Sequence, residues 1–182
     1  MTDNTDDSTL QTTQYLTFTL RAENFAIEIG KVREVLDVST LTKIPRMPDY
    51  LSGVINLRGS VVPVMDLGQK LGMDAIVHAK STCIMILDLE VAGNLMEIGV
   101  LTDSVQMVLD LQTEEIEAVP RMGTDINTDF LKGIGRHGEK FLLLLDIDKV
   151  MESEGAPPSY SGNFINMGEQ PSHISEEHEC VQ

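Results

Sequence analysis

Tyr15-Leu16-Thr17-Phe18-Thr19-Leu20 alternates with a period of two and is rich in strand formers. Ala22-Glu23-Asn24 reads as a turn, and Phe25-Ala26-Ile27-Glu28-Ile29 alternates again, so these runs predict a β-hairpin. Val32, Val35, Leu36 and Val38 carry the apolar pattern on to a corner at Pro45 and Pro48. Leu51–Asn56 and Val61–Met65 then flank Leu57-Arg58-Gly59-Ser60. Glycine permits positive φ, so a tight hairpin tip is expected at Arg58-Gly59. Pro63 cannot donate a ladder hydrogen bond, which places it at a sheet edge or a bulge. Two short helical turns should follow strands: Asp66–Gly72, with Asp66 as N-cap and Gly72 as stop, and Asp146–Met151, again opening on Asp.

The pattern is duplicated. Phe18 matches Leu87 at an offset of 69, and Val35-Leu36-Asp37-Val38 matches Val108-Leu109-Asp110-Leu111 at 73. Pro45-Arg46-Met47 matches Pro120-Arg121-Met122 at 75, and Leu51-Ser52-Gly53-Val54 matches Leu131-Lys132-Gly133-Ile134 at 80. The offset only grows, as insertions in the loops of a repeated unit would make it. Two similar small β units imply an all-β, paired-barrel scaffold, with repeats over about 14–81 and 82–151. Leu143 stands where the first copy has Pro63, so the two units should differ at that strand.

Charge adds tails to this picture. The chain has 182 residues and a net charge of −16. Residues 1–13 hold three acids and residues 152–182 hold six, with no base in either, which leaves −7 on residues 14–151. Both ends are expected to be solvated acidic tails. A moderately acidic body without a basic patch disfavours nucleic acid. The N-terminus shows neither basic nor apolar leader regions, and no apolar run is long enough to span a bilayer. Cys83 lies in an apolar run and Cys180 in the polar tail, a pairing that suits a reduced, cytoplasmic chain better than a disulfide.

Several motifs invite chemistry. Gly133-Ile134-Gly135-Arg136-His137-Gly138 spells a dinucleotide fingerprint, but a strand follows it where a helix is required, and the repeat makes it a hairpin turn. Asp125–Asp129 resembles the start of a calcium loop, yet the sixth and twelfth positions are Phe130 and Arg136. His173, His178 and Cys180 lack a fourth ligand, and His78 and His137 fall in separate turns. No nucleophile stands beside a base and an orienting acid. Asp66 and Asp146 could form a carboxylate pair for a small hydrolase, but capping accounts for them without catalysis. Met85 and Met96 fall in apolar strands, and Met47 and Met122 follow the Pro-Arg corners; core filling suits all four. No metal and no cofactor are expected. Arg58 is harder to place. It is either a solvated turn residue or an exposed anchor for a protein partner, and composition leaves both open.

The run Ile44-Pro45-x-x-Pro48-x-Tyr50-Leu51-x-Gly53-Val54-Ile55-Asn56-Leu57-Arg58-Gly59-x-Val61-Val62-Pro63-Val64-x-Asp66-Leu67 closely resembles the CheW family of bacterial chemotaxis coupling proteins. So do Phe25-x-Ile27-x-Ile29-x-x-Val32-x-Glu34-Val35 and Gly99-Val100-Leu101-Thr102-Asp103-Ser104-Val105. The resemblance covers about residues 14–151. It implies a CheW-like fold of two five-stranded SH3-like barrels, partly interleaved, on a shared apolar core. It implies no catalysis, but an adaptor between the cytoplasmic tip of methyl-accepting chemoreceptors and the histidine kinase CheA. The kinase carries a homologous CheW-like regulatory domain that stacks with such adaptors end to end. By position, Val32, Glu34 and Val35 match a partner-contact surface, and Asn56, Arg58 and Gly59 match the coupling hairpin. Ile98 and Gly99 match positions near a receptor-docking groove, and Gly53 and Gly133 match structural turn glycines. Neither a receiver nor a kinase domain adjoins the matched region, so the resemblance is to CheW rather than to CheV or CheA. It implies a cytoplasmic chain recruited to membrane-associated arrays, without insertion into the bilayer. A coupling protein of a parallel pathway, such as one serving type IV pili, shares the same pattern. A generic SH3-like module for Pro-rich peptides would need an aromatic groove, and the chain has no Trp.

Overall fold

The computed structural model describes residues 11–38, 41–120 and 126–153. Ten strands dominate: β1 Thr12–Leu20, β2 Glu23–Glu28, β3 Val32–Asp37, β4 Leu51–Leu57, β5 Ser60–Asp66, β6 Cys83–Val91, β7 Asn94–Thr102, β8 Ser104–Gln112, β9 Leu131–His137 and β10 Lys140–Leu145. Two short helices follow strands, α1 Leu67–Lys70 and α2 Ile147–Glu152. Asp66 caps α1, accepting from the Gln69 N–H at 3.1 Å, and Asp146 caps α2, accepting from the Lys149 N–H at 3.4 Å. Gly72 closes the first helical turn at φ +85°.

The strands form two five-stranded sheets, ordered β8-β1-β2-β10-β9 and β3-β6-β7-β5-β4. The repeat offsets turn β1 through β5 into β6 through β10, and under that exchange the two orders are identical. Each sheet therefore carries the first hairpin of one copy and the last three strands of the other. This goes beyond partial interleaving near the middle of the chain, and no boundary between sheets falls at residue 81. One sheet is continuous in sequence, from β3 to β7. The other is split: its β1–β2 hairpin pairs antiparallel with β8 through β1 and parallel with β10 through β2, Phe25 facing Leu143 and Ala26 facing Leu144.

Tight turns set the registers. The β1–β2, β4–β5 and β6–β7 hairpins each turn on two residues of positive φ: Arg21-Ala22, Arg58-Gly59 and Ala92-Gly93. This is the primed turn that matches the right-handed twist of strands. The first turn is thus one residue earlier and shorter than the sequence pattern suggests, with Glu23 and Asn24 already paired in β2. The glycines of 133–138 lie in β9 and the β9–β10 turn, as the repeat requires. Pro63 is not on an edge: β5 lies between β4 and β7. Its parallel pairing with β7 begins only at Val64, whereas Leu143 at the matching position in β10 does pair with β2. The imide nitrogen ends the ladder one residue early, so the units differ there as expected.

One core serves both sheets. Phe18 and Phe25 stack at 5.8 Å between centroids and join Leu16, Leu20 and Ile27 of the split sheet to Met65, Ile84, Met85, Ile86 and Leu87 of the continuous one. A smaller cluster of Tyr15, Ala26, Leu111, Leu142 and Leu144 fills the other face of the split sheet. Alternation along β1 divides its side chains between the two clusters. Met47 and Met96 are half-buried and pack against the shared core. Thr12 and Thr13 already pair with Gln112 and Leu111, so order begins before residue 14. The rest of the expected N-terminal tail, most of the C-terminal one, Met122, Asp125, His173, His178 and Cys180 lie outside the described residues.

Candidate functional site at the hairpin tip

The tip of β4–β5 meets β3, the far edge of the same sheet. Arg58 donates from its two terminal guanidinium nitrogens, Nη1 and Nη2, to the carboxylate oxygens of Glu34, at 2.9 and 3.0 Å. Two parallel bonds of this kind fix orientation as well as distance. The Asn56 carboxamide oxygen accepts from the Gly59 N–H at 2.8 Å, which locks the turn that carries Arg58 at φ +51°. Arg58 remains 72% exposed while Glu34 is 22% exposed. An ion pair so wet adds about 0.2–1 kcal/mol to stability. Its larger effect is to curl the sheet edge to edge and hold a guanidinium at the surface in one orientation.

Four expected site residues, Glu34, Asn56, Arg58 and Gly59, thus come together. Val35 is exposed on β3, and Val61, which the sequence reading passed over, is exposed just beyond the tip. Val32 is half-buried against the shared core. Ile98 and Gly99 do not join this surface: both are buried in β7, with Gly99 between Ile86 and Val64. A side chain on Gly99 would crowd Ile84 and Val64, each 3.0 Å from its Cβ, so its absence serves packing. Gly53 and Gly133 lie within strands, not turns. A Cβ on Gly53 would sit 2.3 Å from the Thr42 carbonyl oxygen, and one on Gly133 would sit 2.5 Å from Ile116 Cγ2. Each glycine admits a short bridge to its strand, Thr42 to Val54 and Glu117 to Ile134.

Residues 14–155 match the model of the CheW-like domain. The chain belongs to the CheW family. It is 36% identical over 141 residues to the chemotaxis protein CheW of Klebsiella aerogenes, covering 78% of this chain and 82% of that one. It is 28% identical to CheW of Treponema pallidum, over 78% and 83% of the two chains. The crystal structure of the scaffolding protein CheW from Thermoanaerobacter tengcongensis superposes with a TM-score of 0.70 at 30% identity, covering 80% of this chain and 91% of that one.

The duplication makes the matching positions of the second unit instructive. The offsets place Val108 on Val35, Phe141 on Val61, Met107 on Glu34 and Gly138 on Arg58. Met107, Val108 and Phe141 are exposed, with the Arg136 guanidinium 5.4 Å from the Phe141 ring centroid. Where the continuous sheet has its ion pair, the split sheet has a pocket of about 450 Å³ reaching from Met107 to Gly138. The two units therefore expose apolar residues at matching positions but differ in charge and shape there.

The remaining candidates resolve into structure. Asp66 is buried and accepts from two backbone donors, Gln69 N–H and, at 2.7 Å, Ile76 N–H. Asp146 caps the other helix and lies 3.6 Å from its own Lys149 ammonium. The two carboxylates cap separate helices, and nothing in that geometry favours a hydrolase. Among the described residues no helix is long and apolar enough to cross a membrane.

Proposed function

We propose that this chain is a chemotaxis adaptor that couples chemoreceptors to the histidine kinase CheA and does so without catalysis. Family membership supports the adaptor role, and one observation carries the coupling: Glu34 holds Arg58 exposed and in a fixed orientation at the hairpin tip. An exposed arginine held in one orientation is the residue type on which protein interfaces concentrate their energy. The second unit offers Met107, Val108 and Phe141 at the matching positions. A body with two related but unlike surfaces suits head-to-tail stacking with a homologous domain, since heterologous contacts propagate rather than pair off. A receptor helix would be the second partner, docking by its apolar face. Two weak contacts on one rigid body then act together in an array. The signal passes as a bias on the kinase's conformational equilibrium. Recruitment to membrane-associated receptor arrays follows from the same contacts.

The test is CheA autophosphorylation in receptor-containing membranes with the wild-type chain and with Arg58→Glu. The variant should retain the fold and lose most of the activation. Undiminished activation by Arg58→Glu would remove the hairpin tip from the mechanism.

A further inference from the structure

A second surface lies at the other end of the β4–β5 hairpin. A cleft of about 600 Å³ runs under the Pro45–Pro48 corner, with Leu41, Ile44 and Met47 half-buried along it and Ile76 at its floor. Lys43, Arg46 and His78 are exposed on its rim. Of its two acids, Asp66 is spent on backbone N–H groups, which leaves Asp49. Among the described residues Lys31, Arg33, Arg58, Lys132 and Lys149 form ion pairs, whereas Lys43 and Arg46 form none. In a chain of net charge −16, a mixed cleft that sets half-buried Leu41, Ile44 and Met47 beside two cations without an ion pair is a suitable seat for an acidic, partly apolar segment.

The chain leaves its last helix beside this cleft. Lys70 reaches the Ser153 carbonyl oxygen at 3.5 Å and stands over the Tyr50 ring at 4.7 Å. Gln69 and Leu51, the neighbours of Lys70 and Tyr50, both line the cleft. Beyond Ser153 come 29 residues with five glutamates and no lysine or arginine. Phe164, Ile165, Met167 and Ile174 fall among or beside Glu169, Glu176, Glu177 and Glu179. The 11 residues from Ser153 to Phe164 can extend about 36 Å, ample to return to the rim.

We propose that residues 164–179 of this chain occupy the cleft, their apolar side chains against Leu41, Ile44 and Met47 and their glutamates against Lys43 and Arg46. The acidic tail is then an internal ligand that masks the cleft from other acidic peptides. Charge complementarity sets the address, and apolar burial supplies the driving force.

Cys180 adjoins the segment and offers a probe. A nitroxide is attached there in the full chain carrying Cys83→Ser, and amide signal loss is mapped by NMR. Signal loss is expected at Lys43, Arg46, Ala75 and His78. Lys43→Glu with Arg46→Glu should abolish it, and adding Glu176→Lys with Glu177→Lys should restore it. Raising salt towards about 1 M, where the Debye length falls to about 3 Å, should weaken it. A dispersed spectrum for every strand confirms that each variant folds. Signal loss elsewhere, none at all, or loss indifferent to charge reversal would overturn the proposal. So would signal loss that appears only between a labelled and an unlabelled chain in a mixture, which would make a second copy the occupant.

Discussion

At the scale of single residues, the chain separates side chains that hold the fold from side chains that are held by it. Asp66 belongs to the first group. Its carboxylate satisfies Gln69 and Ile76 N–H groups in a buried setting, so Asp66→Ala leaves both donors bare. We expect a loss of about 1–2 kcal/mol in urea unfolding, against less than about 1 kcal/mol for Asp146→Ala, whose cap bond is longer. Arg58 belongs to the second group. Exchanging the charges, Glu34→Arg with Arg58→Glu, restores the ion pair but presents a carboxylate outward. If the outward charge matters, kinase activation stays low in the double variant; recovery would assign the pair a purely internal role. The sequence shows Arg58 at a hairpin tip because Arg-Gly between two alternating runs has few other meanings. It does not show Glu34 as its partner, since 24 residues separate them and only sheet closure joins them. Nor does it show that Gly99 is buried, because glycine carries no burial signal of its own.

At the scale of elements, backbone demands decide most positions. Gly53 combines φ +149° with a carbonyl 2.3 Å from where its Cβ would stand. Gly133 meets a movable Ile116 methyl first, with the Glu117 carbonyl oxygen at 2.9 Å. Gly53→Ala should therefore destabilise by about 2–3 kcal/mol and Gly133→Ala by less, read as shifts of the urea midpoint at constant slope. Equal effects would mean that the Thr42 bridge yields freely. The β1–β2 hairpin is legible as period-two runs, the Arg58-Gly59 turn from the two apolar runs that flank it, and both helical turns from their Asp caps, whereas β6 and β10 read only as unbroken apolar runs. The misplacement of Pro63 at an edge was not a failure of its chemistry, which does interrupt a ladder. The sequence could not show that the interrupted partner, β7, lies 35 residues on in chain order and runs parallel.

At the scale of the whole molecule, the exchange of hairpins makes two barrels one cooperative body. Offsets reveal which segments are alike, not which of them pair. A duplicated unit presents each hairpin with two equivalent edges, so the pattern alone cannot choose between them. The split sheet is held in part by Lys132 of β9, 2.5 Å from Glu28 of β2, next to buried Tyr15 of β1. Burial raises the Tyr15 pKa, with help from Glu28. For Lys132, burial pulls the pKa down, but the Glu28 hydrogen bond and charge outweigh it and leave it raised. For both, a raised folded value means that stability is fully present below the unfolded value, about 10 and 10.4 respectively, and is lost as pH rises through the folded one. Thermal unfolding should thus shift down above about pH 10 as one transition. In Lys132→Met with Tyr15→Phe the shift should be smaller; two separate transitions would contradict the shared core. The central claim is that the chain bridges two partners, and the most direct measurement is CheA autophosphorylation in receptor membranes as the chain is titrated. A bridge predicts a rise, then a fall in excess, as surplus chain occupies receptor and kinase separately. No activation at any concentration, or the same activation without receptors, would contradict it.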